Sequence, residues 1–226
     1  MSDDVILETR KLTKEFQGFV AVNGVDLRVR RGAVHGLIGP NGAGKTTVFN
    51  LLTRFLPPTS GSVFYRGDDI THLRPAAVAR RGLVRSFQIS AVFPRLTVLE
   101  NVRVALQRSL GTSFHFWRTQ RSLAVLNGRA LELLAAVDLD GYAHTITVEL
   151  PYGRKRALEL ATTLALEPEL MLLDEPTAGM GQEDVGRVVS LIKKISAGRT
   201  ILMVEHNLSV VADLSDTITE IGRAHV

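Results

Sequence analysis

The sequence predicts an α/β protein with a mostly parallel central sheet, and three observations support this fold class. Short apolar runs alternate along the chain with amphipathic segments of helical period, as in folds that pack helices against parallel strands. One run, Val34 to Ile38, leads through a glycine-rich turn into a helical pattern that ends near Leu52. Another, Leu170 to Leu173, is wholly apolar and ends in two acidic residues, which indicates a buried strand.

The individual elements follow from periodicity and turn signals. Strands bounded by Gly, Pro and Asp turn residues are predicted at Val5–Phe16, Phe19–Val29, Val34–Ile38, Ser62–Arg66, Leu83–Gln88, Glu169–Leu173 and Arg199–Glu205. Beyond the helix after the glycine-rich turn, helices are predicted at Pro75–Arg81, Leu96–Leu106, Arg129–Leu139, Gly153–Leu166, Gln182–Ser196 and Asn207–Leu214. The pattern is least constrained in Gln107 to Ala124, which contains the single tryptophan, Trp117.

Composition is that of an ordinary soluble globular protein. The 226 residues are 45% apolar and 22% charged, enough for one large core or two small ones. No apolar run reaches the roughly 18 residues of a membrane-spanning helix, and Met1 to Asp4 lacks the features of a signal peptide. The absence of cysteine excludes disulfides and cysteine metal sites. The net charge of +4 favours basic residues scattered over the surface rather than a nucleic-acid interface.

The glycine-rich turn has the form Gly-x-x-x-x-Gly-Lys-Thr, which is typical of a nucleotide phosphate site. Glycines let successive backbone N–H groups converge on an anion, and the following helix directs its N-terminal dipole at the same point. Lys45 would reach the β- and γ-phosphates, and the Thr46 hydroxyl would bind Mg²⁺. The alternative is a glycine turn that only precedes a helix. The candidate phosphate-binding residues are Gly39, Pro40, Asn41, Gly42, Ala43, Gly44, Lys45, Thr46 and Thr47.

The acidic pair Asp174–Glu175 provides the second candidate site. A buried strand that ends at Asp174 would place this carboxylate at the carboxyl edge of the sheet, beside the phosphate loop, where it can hold Mg²⁺ through water. Glu175 is then placed to act as general base on an attacking water. The alternative is an Asp-Glu pair that only caps the following turn.

The order of these motifs resembles the ATP-binding cassette of ABC transporters over residues 5 to about 219. The resemblance implies a P-loop NTPase cassette with an antiparallel β subdomain and a helical subdomain at about 89–165, and it implies ATP and Mg²⁺ as cofactors. It also implies that Phe16 stacks on adenine and that Gln88 senses Mg²⁺ and the lytic water. His206 corresponds to the histidine that contacts the γ-phosphate.

The family's signature motif, usually Leu-Ser-Gly-Gly-Gln, corresponds here to Leu150, Pro151, Tyr152, Gly153 and Arg154. In the family this motif binds the ATP of the opposite subunit. Pro151 fits the first turn of a helix whose N-terminal N–H groups favour an anion. Arg154, Lys155 and Arg156 oppose that helix dipole, which indicates either a phosphate across an interface or a solvated basic turn.

The Tyr-Gly signature resembles one subfamily, the ATP-binding proteins of branched-chain amino acid importers. Ala21 to Val25, the long segment between Gln88 and the signature, and Asp174 to Met180 agree with it. The resemblance implies an ATPase on the cytoplasmic face of the plasma membrane. Its partners would be separate permease subunits, a second cassette in a homo- or heterodimer and, indirectly, a periplasmic or extracellular binding protein, with no nucleic acid. The alternatives are import of urea or amides, lipopolysaccharide export, and a soluble non-transport cassette.

The C-terminus departs from this subfamily. Members continue with a hydrophobic strand, a hairpin and a further helix, whereas here the strand expected near Asp216 is predicted to be cut off. The last seven residues, Glu220 to Val226, equal the translation of a widely used sequencing adapter that continues into a stop codon. We therefore expect residues 220–226 to be a non-native tail on a truncated chain, the alternative being a natural divergent C-terminus. The genomic sequence of the source locus distinguishes the two.

Overall fold

The computed structural model describes residues 4–86, 92–107 and 124–222. These residues form two compact units. The first unit contains residues 4–85, 169–176 and 196–222, and the second contains the remaining described residues. No helix within the described ranges combines the length and apolar character that a membrane span requires.

The described residues confirm the alternation of strands and helices. The strands are β1 (Val5–Phe16), β2 (Phe19–Arg30), β3 (Val34–Ile38), β4 (Ser60–Tyr65), β5 (Asp68–Asp69), β6 (Leu83–Ser86), β7 (Leu170–Asp174), β8 (Thr200–Val204) and β9 (Thr217–Glu220). The α-helices are α1 (Lys45–Leu52), α2 (Pro75–Arg80), α3 (Val98–Leu106), α4 (Asn127–Ala136), α5 (Tyr152–Leu164), α6 (Gln182–Ser196) and α7 (Leu208–Leu214).

An antiparallel sheet of order β2-β1-β4-β5 forms one layer of the first unit. Strands β1 and β2 make a hairpin whose two turn residues, Gln17 and Gly18, both have positive φ. Such turns match the twist of the flanking strands. The hairpin places Phe16 directly opposite Phe19, so the two aromatic side chains are cross-strand neighbours at its tip.

A five-stranded sheet of order β6-β7-β8-β3-β9 forms the centre of the first unit. The pairings β3·β8, β7·β8 and β3·β9 are all parallel, which confirms the predicted parallel sheet. Every residue of β7 and β8 is buried, as expected for central strands covered on both faces. The carboxyl ends of β3 and β7 lead into the phosphate loop and into Glu175 respectively, at the edge where parallel sheets bind ligands.

The helices of the second unit are fixed by local signals. Helix α3 begins with a capping box, in which the Thr97 hydroxyl accepts from the Glu100 N–H and the Glu100 carboxylate accepts from the Thr97 N–H. The Thr97 N–H and the Thr97 hydroxyl both donate to the Glu100 carboxylate, and these two hydrogen bonds lower the pKa of Glu100. Buried Asn101 donates to the carbonyls of Phe93 and Thr97 and to the Thr147 hydroxyl, so it connects α3 to the segment that precedes the signature.

The structure corrects the expectation for the C-terminal segment. Instead of being cut off, the strand that follows Asp216 forms β9, which pairs in parallel with β3. The Ile221 N–H donates to the Ile38 carbonyl at 2.9 Å, and the Ile221 side chain is only 6% exposed within the core. Glu220 and Ile221 of the predicted tail therefore pair with β3, and the assignment of residues 220–226 as a non-native tail stays a prediction. Residues 223–226 of the predicted tail lie outside the described residues.

A buried histidine connects β3 to β9. The two ring nitrogens of His35, Nδ1 and Nε2, each lie 2.9 Å from a threonine hydroxyl of β9, on Thr217 and Thr219 respectively. Burial lowers the pKa of His35. The unfolded chain, in which a histidine titrates near its ordinary value of about 6.5, therefore binds this proton more readily than the folded protein does.

We expect this histidine to make the protein less stable in mild acid. The titration of His35 does not change the free energy of unfolding well above pH ~6.5. As the pH drops below that value, the free energy of unfolding falls by at most about 1.4 kcal/mol per pH unit for one proton. The measurement is the urea midpoint of the parent and of His35→Gln between neutral and mildly acidic pH. The variant should lose part of the pH dependence, whereas His72→Gln, at an exposed position, should keep it. Equal pH dependence in all three proteins would contradict this prediction.

Candidate nucleotide site

The phosphate loop runs from Gly39 into the first residues of α1, as predicted. Gly42 and Gly44 have φ values of 82° and 85°, in the left-handed region that favours glycine. A Cβ on Gly44 would lie 2.3 Å from the Ala21 carbonyl oxygen, so this position has no room for a side chain. Helix α1 starts at Lys45, directly after this glycine, and its free N–H groups therefore face the loop.

Lys45 is held by the loop itself. Its Nζ donates to the carbonyls of Gly39 and Pro40 at 2.7 and 3.0 Å, and the residue is only 5% exposed. Burial lowers the pKa of Lys45, while the negative charge of Glu175 acts in the opposite direction. An ammonium group carries three N–H donors, so this lysine can donate a further bond to a phosphate oxygen.

Asp174 ends β7 and is buried beside a buried arginine. Its Oδ2 accepts a hydrogen bond from the Arg85 guanidinium, which also donates to the Asn50 side chain on α1. Its Oδ1 is buried and has no hydrogen-bond partner among the described residues. Such an orphaned carboxylate oxygen fits a Mg²⁺-bound water, because Mg²⁺ is usually held by one or two protein groups together with substrate phosphates.

Glu175 and His206 form a direct pair. The His206 Nε2 lies 2.6 Å from the Glu175 Oε1. Glu175 has a φ of 47°, which is unusual for a residue other than glycine, and its N–H donates to the Val204 carbonyl on β8. Non-glycine residues in this backbone region cost energy and concentrate at functional sites. Six other non-glycine residues of the described chain share a positive φ, so the functional role of Glu175 rests on its contact with His206 and its place at the cavity.

The phosphate loop, Glu175 and His206 meet at one cavity of about 450 Å³, whereas Asp174 is not among its lining residues. A cavity of this size is within the range of small-ligand sites. The lining residues are Phe19, Ala21, Asn41, Gly42, Ala43, Gly44, Lys45, Thr46, Thr47, Glu175 and His206. The structure thus brings together seven of the nine predicted phosphate-binding residues, Asn41 to Thr47, with the predicted general base and the predicted histidine, while Gly39 and Pro40 do not line the cavity.

Two residues were not singled out from the sequence: Phe19, which lines the cavity, and Arg85, which contacts Asp174. Phe19, which is 56% exposed, lines the cavity, whereas the predicted aromatic residue Phe16 is not among the lining residues and has the Lys14 ammonium 5.0 Å from its ring centre. The hairpin signal at Gln17–Gly18 could have placed Phe19 opposite Phe16. Arg85 carried no sequence signal, because its contacts depend on the strand order β6-β7.

The predicted signature residues Leu150 to Gly153 belong to the second unit. Leu150 is buried, and the Pro151 carbonyl accepts from the N–H groups of Arg154 and Lys155 in the first turn of α5. The Tyr152 hydroxyl donates to the Ala178 carbonyl at 3.4 Å. A Cβ on Gly153 would lie 2.9 Å from the Asp184 Oδ1, so a larger residue here would require the Asp184 side chain at the start of α6 to move.

The three basic residues of this first turn each have a partner within the second unit. Arg154 stacks over the Tyr142 ring at 3.9 Å, and the Lys155 Nζ donates to the Val148 carbonyl. Arg156 is buried and pairs with Glu159 at 2.7 Å. The expectation of a solvated basic turn is therefore wrong for Arg156. Because these contacts offset the unfavourable dipole, they provide a reason for the cations besides a phosphate across an interface.

The remaining predicted site residue, Gln88, lies outside the described residues, as does most of the segment 107–124 with Trp117. Its assignment to Mg²⁺ and the lytic water stays a prediction. Among the described residues no group of three or more His, Asp or Glu side chains could hold a metal ion.

A parallel sheet with a phosphate loop after one strand and an acidic pair after another defines a nucleotide-binding P-loop ATPase. The family model described as ABC transporter matches residues 22–178. The chain belongs to the ABC transporter family, whose cassettes couple ATP hydrolysis to transport.

Several known proteins resemble this chain in sequence and in fold. The chain is 39% identical to the high-affinity branched-chain amino acid transport ATP-binding protein BraF of Pseudomonas aeruginosa, over 96% of this chain and 88% of that protein. It is 36% identical to the corresponding LivG protein of Escherichia coli K12, over 94% and 86%. A crystal structure of an ABC transporter ATP-binding cassette in its ADP conformation superposes with a TM-score of 0.83, at 29% identity over 96% of this chain and 87% of the other.

Proposed function

We propose that this protein is the ATP-hydrolysing subunit of an importer for branched-chain amino acids. The observation that carries the ATPase role is the single cavity that joins Lys45 of the phosphate loop to the Glu175–His206 pair. BraF and LivG are both named as ATP-binding proteins of branched-chain amino acid transport, and these names support branched-chain amino acids as the transported substrate.

In the proposed reaction Glu175, the acidic residue that follows β7, is the general base. Glu175 accepts a proton from a water whose oxygen bonds to the γ-phosphorus, while the bond between this phosphorus and the β,γ-bridging oxygen breaks to give ADP and phosphate. Since an ionised carboxylate can only accept hydrogen bonds, the His206 Nε2–H donates a hydrogen bond to Glu175 and fixes the orientation of its carboxylate. Lys45 and the loop N–H groups stabilise the phosphate charge.

The proposed metal is Mg²⁺, which would neutralise charge on the β- and γ-phosphates. The Thr46 hydroxyl and, through water, the Asp174 carboxylate would hold it, with Gln88 as the third predicted contact. The Oδ1 of Asp174, which is buried without a hydrogen-bond partner among residues 4–86, 92–107 and 124–222, supports this assignment.

The proposed assembly places two cassettes against separate permease subunits at the cytoplasmic face of the membrane. Residues Leu150 to Gly153 would then contact the ATP of the second cassette, which is either a second copy or a related chain. A substrate-binding protein would deliver the amino acid to the permease from outside.

The test of this function is amino acid uptake. Deletion of the gene in its source organism should abolish high-affinity uptake of radiolabelled leucine, and the parent gene should restore it. Restoration by Lys45→Ala would contradict the ATPase role. Uptake that is unchanged by the deletion would contradict the proposed cargo.

We expect Phe19 to contribute to binding of the adenine ring. Because one stacked base contributes about 1–3 kcal/mol, Phe19→Ala should weaken ATP binding by roughly 5- to 150-fold while leaving the affinity for inorganic tripolyphosphate unchanged. Calorimetry with both ligands measures the difference, and Phe16→Ala is the matched variant across the hairpin. Equal losses for both ligands would indicate damage to the phosphate loop instead.

A further inference from the structure

We propose that Arg85 is a positioning residue for the Mg²⁺–ATP site. Its guanidinium connects the strand that carries Asp174 to the helix that carries Thr46, and it leaves one Asp174 oxygen for the metal's water. This inference rests on the proposed ATPase function and adds a residue that the sequence motifs do not include.

The guanidinium contacts two different elements. One N–H donates to the Asp174 Oδ2 at the end of β7, and another donates to the Asn50 Oδ1 on α1 at 2.5 Å. The arginine carbon also lies 5.6 Å from the centre of the buried Phe49 ring. A guanidinium is planar and its donors point in fixed directions, so these contacts restrict the separation between β7 and α1.

This separation matters because the proposed metal contacts lie on those two elements. Thr46 is the second residue of α1, and Asp174 is the last residue of β7. Mg²⁺ demands near-ideal octahedral geometry with short ligand distances. A residue that fixes α1 against β7 therefore fixes the spacing of the groups that would hold the metal.

The two carboxylate oxygens of Asp174 have different surroundings, and this difference supports the same role for Arg85. Oδ2 is occupied by Arg85, whereas Oδ1 is buried without a partner among the described residues. A freely rotating carboxylate would exchange its two oxygens, but the arginine contact distinguishes them. Asp174 therefore presents a defined oxygen for a Mg²⁺-bound water.

Burial does not by itself give this ion pair a mainly stabilising role, although loss of Arg85 would leave Asp174 as an uncompensated buried charge. The side chains of Arg85 and Asp174 are 8% and 0% exposed. The desolvation of two buried charges offsets most of their mutual attraction, so a buried ion pair is weak evidence for stability. Ligand-orienting contacts of this kind, by contrast, affect metal affinity or activity about 10- to 100-fold when they are removed.

The test separates metal binding from folding. The affinity for a non-hydrolysable ATP analogue is measured by calorimetry in excess Mg²⁺ and in EDTA, and the ratio of the two dissociation constants gives the Mg²⁺-dependent gain. We expect Arg85→Met to reduce this gain about tenfold or more, with the affinity in EDTA close to that of the parent. Arg85→Lys keeps the charge without the planar fork, so it should reduce the gain as well.

Two further variants keep the test decisive. Asn50→Ala removes only the contact to α1 and should reduce the gain less than Arg85→Met does; it replaces Arg85→Met if that variant fails to fold. Arg66→Met removes an exposed pair with Glu169 in the same unit and should leave the gain unchanged. Electron paramagnetic resonance of Mn²⁺ with the analogue provides a second readout, in which weaker Mn²⁺ binding by the Arg85 variants is expected.

The inference is overturned if a folded Arg85 variant keeps the parental Mg²⁺-dependent gain. It is also overturned if affinity falls equally in Mg²⁺ and in EDTA, since Arg85 would then support only the fold. If the parent protein bound no nucleotide, this result would contradict both the proposed function and the present inference. Failure of the inference alone is therefore distinguishable from failure of the proposed function.

Discussion

Glu175→Gln should bind ATP with nearly parental affinity and hydrolyse it about 10²- to 10⁴-fold more slowly, the usual contribution of a general base. Glutamine keeps the shape of the side chain but cannot accept the proton of the attacking water. The backbone at this position has positive φ, and the substitution leaves it unchanged. Phosphate release in steady state and in a single turnover measures the effect.

The matched control for this variant is Glu169→Gln. Glu169 is an exposed carboxylate of the same unit that pairs with Arg31 and Arg66. Its replacement should leave hydrolysis unchanged. If the turnover of Glu175→Gln stayed within a few-fold of the parent value, Glu175 would not be the general base, and another group at the cavity would have to accept the proton.

Lys45→Ala should lose most of the affinity for ATP. Hydrogen bonds to charged groups contribute about 1.5–3 kcal/mol, which corresponds to a loss of roughly 10- to 150-fold for one phosphate contact. The substitution also removes the donor to the Gly39 and Pro40 carbonyls, so the loop loses a contact that holds its shape. Titration with ATP by calorimetry measures the affinity, and thermal unfolding measures the change in stability.

Lys11→Ala is the control for the lysine variant. Lys11 is exposed and pairs with Asp26 on the antiparallel sheet. Its removal should change neither ATP affinity nor unfolding noticeably, because exposed ion pairs contribute little. Unchanged ATP binding by Lys45→Ala would contradict the assignment of the phosphate loop.

The sequence by itself determined the elements and the phosphate chemistry. The period of the apolar residues predicted the strands and helices because each element must bury one face, and burial is a local property of the pattern. The phosphate loop was predictable because its glycines, Lys45 and Thr46 act within one short segment. Asp174 and Glu175 were predictable because parallel strands end at the same edge of a sheet.

Only the tertiary structure decided which distant residues meet. Phe19 lines the cavity because a hairpin turn at Gln17–Gly18 folds it back, and Arg85 reaches Asp174 and Asn50 because β6 lies beside β7. The pairing of β9 with β3, which the sequence had suggested was missing, depends on hydrogen bonds across 182 residues of separation between His35 and Thr217. Contacts of this kind leave no periodic signal, because strand order and hydrogen-bond partners are set by the packing of the whole chain.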